Sequence, residues 1–251
     1  MRVPLIRGLS LVFGAGLALG VQAADLTVSA AASLSNALRD IAPLFEAANP
    51  GTRVQYNFAA SGVLLQQMAK GAPVDVFASA DQDTMDQAQA RGLVRASQRR
   101  DFVSNRLVVI VPANSPRTPA SLADLAQPGY ARIAIGLPAS VPVGRYTKGV
   151  LEAAGQWGAI EARMVGATNV RQALDYVQRA EVDAGFVYAT DAALMPDKVR
   201  VAFTVPTAKP ILYTVAPLTA GPNAAMGERF VAFLLTPAAQ AVLARHGFGR
   251  P

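Results

Sequence analysis

The stretch LTVSAAASLSNAL, residues 26–38, changes pattern halfway along its length. Leu26-Thr27-Val28 reads as a β-strand, bringing β-branched residues in a short apolar run. From Leu34 onward the apolar residues Leu34, Leu38, Ile41 and Phe45 recur at helical spacing. Between the two patterns lie small residues and serines, and no charge appears until Arg39. A strand that passes into a helix in this way offers hydroxyls and the unpaired N–H groups of a helix start, and nothing else.

The same alternation runs the length of the chain. Apolar runs at 26–30, 54–58, 74–79, 107–111, 132–135, 185–188 and 212–216 read as strands. Amphipathic patterns at 34–47, 62–70, 82–91, 121–126, 144–154, 170–180, 224–235 and 237–245 read as helices. Pro43 falls inside the first of these, which predicts a kink or break near Ala42. Strands alternating with helices argue for an α/β fold with mostly parallel sheets. The run 107–111 leads into Pro112-Ala113-Asn114-Ser115-Pro116 and a fresh strand–helix series, which the run 212–216 closes. Such a chain crosses to a second lobe and back. The expected lobes are 24–107 plus 212–251 and 108–211, with a two-strand hinge at those runs.

Residues 1–23 read as a secretory signal peptide. Arg2 and Arg7 give a positive start, 9–21 is apolar, and Val21-Gln22-Ala23 fits a cleavage site before Ala24. The apolar run is too short for a comfortable membrane span. Export to the periplasm is therefore expected. Cleavage removes two arginines and no acid, leaving 21 basic and 17 acidic residues, a net of +4. Arg99-Arg100 is the only basic pair left, so no basic stripe for nucleic acid is present. The chain has no cysteine, which excludes disulfides, thiolate metal sites and cysteine nucleophiles. No heptad run is present, and a monomer is expected.

Three further turns share the character of the opening one: Phe58-Ala59-Ala60-Ser61-Gly62, Ser140-Val141-Pro142-Val143-Gly144 and Ala167-Thr168-Asn169-Val170. Each precedes or opens a helix pattern and carries no charge. One such turn is most simply a helix cap. Four of them brought together by two lobes make an anion site, because helix starts combine free N–H groups with partial positive charge. Ligands of open α/β sheets also sit at the carboxyl ends of strands, where these turns fall. Enzymatic readings lack residues. The only histidine, His246, falls at a helix end, Ser61 lacks a Gly-x-Ser-x-Gly context, and no P-loop or HExxH stretch occurs. No Arg–Asp pair is read at the turns, which argues against an amino-acid carrier.

Taken in order, several segments carry a resemblance: Ala30-Ala31-Ala32-Ser33-Leu34, Phe58-Ala59-Ala60-Ser61-Gly62, Gly71 to Asp81, Val141-Pro142-Val143-Gly144-Arg145-Tyr146, Asn169 to Leu174, and Val187-Tyr188-Ala189-Thr190-Asp191-Ala192. Together, over about 25–248, the chain resembles the periplasmic molybdate-binding proteins of bacterial ABC transporters. The resemblance implies a two-lobed type II periplasmic-binding-protein fold that closes on one molybdate or tungstate. It also implies delivery to a membrane permease with its ATPase, and no cofactor. Ser33 and Ser61 would each give a hydroxyl and a backbone N–H, Val143 and Val170 backbone N–H groups, and Tyr188 its phenol. Molybdenum would then be bound only as the oxyanion, through roughly seven hydrogen bonds from neutral donors. A carrier for another tetrahedral oxyanion, such as sulfate, is the alternative. The sequence departs from its relatives at Leu137, where Gly-Asp-Pro is common, at Val143, often alanine, and at Ala60, often serine.

Overall fold

The computed structural model describes residues 24–251; the signal peptide expected at 1–23 lies outside the described residues. The strands are β1 (Ala24–Ala31), β2 (Thr52–Ala59), β3 (Val76–Ser79), β4 (Arg100–Asn105), β5 (Leu107–Pro112), β6 (Ile133–Gly136), β7 (Met164–Ala167), β8 (Ala184–Tyr188), β9 (Val199–Val205) and β10 (Ile211–Pro217). The helices are α1 (Ser35–Ala48), α2 (Ser61–Ala69), α3 (Gln82–Ala90), α4 (Leu122–Leu125), α5 (Pro142–Ala153), α6 (Trp157–Glu161), α7 (Val170–Gln178), α8 (Ala189–Ala192), α9 (Ala224–Leu234) and α10 (Pro237–Arg245).

The strands form two five-stranded sheets, ordered β2-β1-β3-β10-β4 and β7-β6-β8-β5-β9. In the first, β1 runs parallel to β2 and β3, and β10 runs antiparallel to β3 and β4. In the second, β6 runs parallel to β7 and β8, and β5 runs antiparallel to β8 and β9. Each lobe is thus a mixed sheet in which four of the five strands run the same way, flanked by helices, the type II periplasmic-binding fold that the resemblance implies. The chain changes sheet at Arg106, between β4 and β5, and again within 206–210. Asn105 pairs with Ile211 in the first sheet, while Leu107 pairs with Tyr188 and Val205 in the second. The two crossings therefore lie side by side.

Local chemistry explains several helix starts. Pro142 opens α5 and Pro237 opens α10, where the missing N–H costs nothing. The Asp81 side chain accepts from the Thr84 N–H to cap α3, and Thr236 caps α10 through the Ala239 N–H. Helix α1 runs through Pro43 as one helix, so of the kink or break expected near Ala42 the break does not occur. Both Pro43 and Arg39, whose carbonyl loses its helical partner, face solvent, so that carbonyl is open to water. Beneath α1, Phe45 meets the rings of Phe230 and Phe233 edge-on at 5.0 and 5.4 Å, which ties the carboxyl-terminal helices to the first lobe.

Three strands escape the sequence reading: β4, β7 and β9. All three are edge strands. An edge strand covers only one neighbour and tolerates exposed or polar positions, so it need not show a continuous apolar run. In β9, Arg200, Val201 and Thr204 are exposed between buried ends. The run expected at 74–79 is strand only from Val76; the Asp75 backbone still bonds Thr27 and Leu218, and its side chain accepts from the N–H groups of Thr27 and Asn223 at 2.8 and 2.6 Å.

Candidate functional site

Each of the four uncharged turns sits at the carboxyl end of a strand. After β1 the chain makes a 3-10 turn over Ala32–Leu34 that carries Ser33. After β2, Ala60 is the N-cap of α2 and Ser61 its first residue. After β6 a loop leads to α5, with Val143 second in the helix. After β7, Asn169 caps α7 and Val170 is its first residue. Tyr188 ends β8. The five residues Ser33, Ser61, Val143, Val170 and Tyr188 line one small cavity of about 10 Å³ between the two lobes. All five are buried, and among the described residues no charged side chain lines the cavity.

The capping pattern leaves the relevant N–H groups free. The Asn169 side chain accepts from Arg171 and Gln172, the second and third residues of α7, and so passes over the N–H of Val170. At α2 the N-cap is Ala60, which has no side chain able to cap. At α5, Pro142 has no N–H and the Val141 side chain cannot accept, so the Val143 N–H has no intrahelical acceptor. Helix starts without side-chain caps on their first N–H groups, gathered around one cavity, favour an anion without a formal charge.

The hydroxyls are also oriented. Ser61 Oγ accepts from the Ala80 N–H at 3.1 Å, leaving its own proton to point elsewhere. Ser33 Oγ lies 2.9 Å from the Tyr213 hydroxyl. The Tyr188 hydroxyl makes one long contact, 3.5 Å, to the Ala80 carbonyl oxygen. Burial, helped by the neighbouring Tyr213, Tyr146, Asp81 and Asp191, raises the Tyr188 phenol well above its usual range. It therefore stays protonated and acts as a donor.

The loop bearing Leu137 is held by its backbone. The Leu137 N–H donates to Ala167, and the Leu137 carbonyl accepts from Ser140 and Val141 at 3.0 and 2.8 Å. Its side chain lies over Gly166 and takes no part in these bonds. Leucine is accommodated here because no side-chain cap is needed. The extra bulk of Val143 packs against Gly136, the Cγ1 lying 3.2 Å from where a Cβ there would be.

Two Arg–Asp pairs lie behind the turns, which the sequence reading does not anticipate. Arg145, from α5, reaches across to Asp81 through Nε and Nη2 at 2.8 and 2.7 Å and donates to Thr84 at 2.6 Å. Arg171, from α7, pairs with Asp191 at 2.6 Å and crosses the lobes to Asn36 at 2.8 Å and the Ser33 carbonyl at 3.1 Å. Neither pair lines the cavity, so neither offers a clamp for a zwitterion. The Arg145–Asp81 pair and the Arg171 bonds to Asn36 and Ser33 join the lobes beside it. The Gly62 N–H adds a third bridge, to the Ser140 carbonyl at 3.0 Å. In sequence, Arg145 and Arg171 stand one or two residues from candidate donors, yet nothing in their spacing names a partner on the other lobe.

A larger cavity of about 780 Å³ opens between α3, α5 and the 206–210 crossing, and none of the five candidate residues lines it. The only histidine ends α10 and lies 2.8 Å from Asp40, at the surface and away from the small cavity.

Residues 26–249 match the family model described as bacterial extracellular solute-binding protein. The chain is similar to the molybdate-binding protein ModA of Escherichia coli strain K12, with 36% identity over 89% of this chain and 88% of that protein. A ModA of Haemophilus influenzae is 34% identical over 97% of this chain and 94% of its own length. Among solved structures, the Azotobacter vinelandii periplasmic molybdate-binding protein superposes with a TM-score of 0.78 at 26% identity, covering 90% of this chain and 99% of that one.

Proposed function

The chain belongs to the bacterial extracellular solute-binding protein family, alongside its molybdate-binding members, and from that membership we propose that it captures molybdate, and tungstate, between its lobes for an ABC permease. The observation that carries the reading is the single small cavity lined by the five neutral donors and by no charged side chain. Ser33 and Ser61 give hydroxyl and backbone N–H, Val143 and Val170 give backbone N–H, and Tyr188 gives its phenol. A dianion accepts all of these as charge-assisted bonds, which are roughly twice as strong as neutral ones. No counter-charge holds the ion, so opening the lobes is enough to release it.

Selectivity follows from reach and protonation. Sulfate has shorter bonds and would leave donors unreached, each costing about 1–3 kcal/mol when buried. Hydrogen phosphate carries a proton that needs an acceptor, and the set holds no carboxylate to take it, only hydroxyl oxygens.

In this reading the protein works in the periplasm after cleavage between Ala23 and Ala24. It acts as a monomer, without a cofactor and without chemistry on its cargo. The lobes hinge at Arg106 and 206–210, and the permease with its ATPase recognises the closed form. Thermal unfolding of residues 24–251 against a panel of anions tests the reading. A ligand bound only by the native state raises the unfolding temperature with concentration. Molybdate and tungstate should raise it; a chain that responds to neither, or only to sulfate, is not this carrier.

A further inference from the structure

One buried side chain outside the donor set controls a member of it. Tyr213, on β10, is fully buried, and its hydroxyl touches two side chains: Ser33 Oγ at 2.9 Å and Asn105 Nδ2 at 3.3 Å. The distances leave the Ser33–Tyr213 direction open, but the surrounding bonds decide it. The Arg106 N–H donates to Asn105 Oδ1 at 2.9 Å, which fixes the amide so that its NH2 group faces Tyr213 and the Thr190 hydroxyl. Asn105 therefore donates to the Tyr213 oxygen. A buried phenol proton requires an acceptor of its own, and among the described residues Ser33 Oγ is the one hydrogen-bonding atom left to it. Tyr213 donates to Ser33, and Ser33 must turn its own proton elsewhere. Ser61 is held in the same sense by the Ala80 N–H.

We propose that Tyr213, set by Asn105, is a positioning residue that forces the Ser33 hydroxyl to act as a donor toward the cavity, and so helps the site select oxyanions that carry no proton. The inference rests on the proposed role of Ser33 as an anion ligand. A serine free to rotate can either donate to an anion or accept from a protonated one; the relay from Asn105 through Tyr213 favours the first. Both relay residues sit at the strand crossing between the lobes, Asn105 at the end of β4 and Tyr213 in the neighbouring β10. The orienting bond is therefore built into the hinge side of the first lobe.

The test is a calorimetric titration of residues 24–251 with molybdate and with hydrogen phosphate, for wild type, Tyr213→Phe, Ser33→Ala, the double variant and Asn105→Ala. Tyr213→Phe should weaken molybdate by about tenfold and narrow the preference over phosphate. The double variant should be no weaker than Ser33→Ala alone, because Tyr213 acts through Ser33. Asn105→Ala should shift both quantities the same way by a smaller factor, about threefold, and it keeps the test alive if Tyr213→Phe does not fold. Unchanged affinity and preference in Tyr213→Phe, or losses that simply add in the double variant, would overturn the relay while leaving the carrier intact. A wild type that binds no molybdate would overturn both.

Discussion

Gly62 and Ser140 meet backbone to backbone across the lobes, the Gly62 N–H donating to the Ser140 carbonyl at 3.0 Å. A Cβ at position 62 would lie 2.6 Å from that oxygen and 2.9 Å from the Ser140 Cα. Both are main-chain atoms and cannot swing aside. Gly62 is required for closure, not for the helix that contains it.

Gly62→Ala should accordingly separate closure from folding. Alanine favours the helix by up to about 1 kcal/mol over glycine, so the unfolding temperature without anion should hold or rise. Molybdate affinity should fall by at least about tenfold, because the closed form is blocked. Calorimetry and thermal melts on the same preparation check both halves; an affinity within twofold of wild type would mean that the lobes close elsewhere.

Arg145 bridges the lobes without touching the cavity. Arg145→Ala should weaken molybdate and tungstate by the same factor, about threefold to tenfold, since it removes support for the closed form common to both. A change confined to one anion would show that Arg145 acts on the ligand.

Tyr188→Phe removes a donor and little volume. Binding should weaken by about 1–3 kcal/mol, with the fold unchanged by circular dichroism. Equal affinity in the two proteins would remove Tyr188 from the site.

Asp191 is fully buried, its Oδ1 paired with Arg171 and its Oδ2 without a partner among the described residues. Burial pushes its carboxyl up from 3.8 to about 6, against the opposing pull of Arg171. The folded protein thus binds this proton more tightly than the unfolded chain. The stability it contributes is full below about pH 4 and is lost as pH rises through 6. Urea unfolding of wild type and Asp191→Asn between pH 4 and 7 should show this falling component in wild type alone. Parallel curves for the two proteins would remove Asp191 as its source.

Much of this was legible in the chain because the physics is local. A strand passing into a helix through Ser33 or Ser61 shows a change of period, and a helix start needs no partner to leave N–H groups free. The two-lobe fold followed from a strand–helix series that starts afresh after 107–111. What stayed hidden depends on pairs far apart in sequence. Tyr213 lies in a strand whose apolar neighbours make it look like core, and only the fold sets its hydroxyl beside Ser33. Arg145 and Arg171 stand beside candidate donors, but their partners Asp81 and Asn36 are on the other lobe. Edge strands β4, β7 and β9 were missed for want of an apolar run, and Pro43 was tolerated because its helix face is wet.

On the proposed function, neutral donors between the lobes hold one unprotonated tetrahedral oxyanion of molybdate size. Calorimetric titration of residues 24–251 with molybdate, tungstate, sulfate and phosphate tests it most directly. Molybdate and tungstate should bind tightly, one to one, with sulfate and phosphate much weaker. Binding of sulfate ahead of molybdate, or silence from all four, would contradict it.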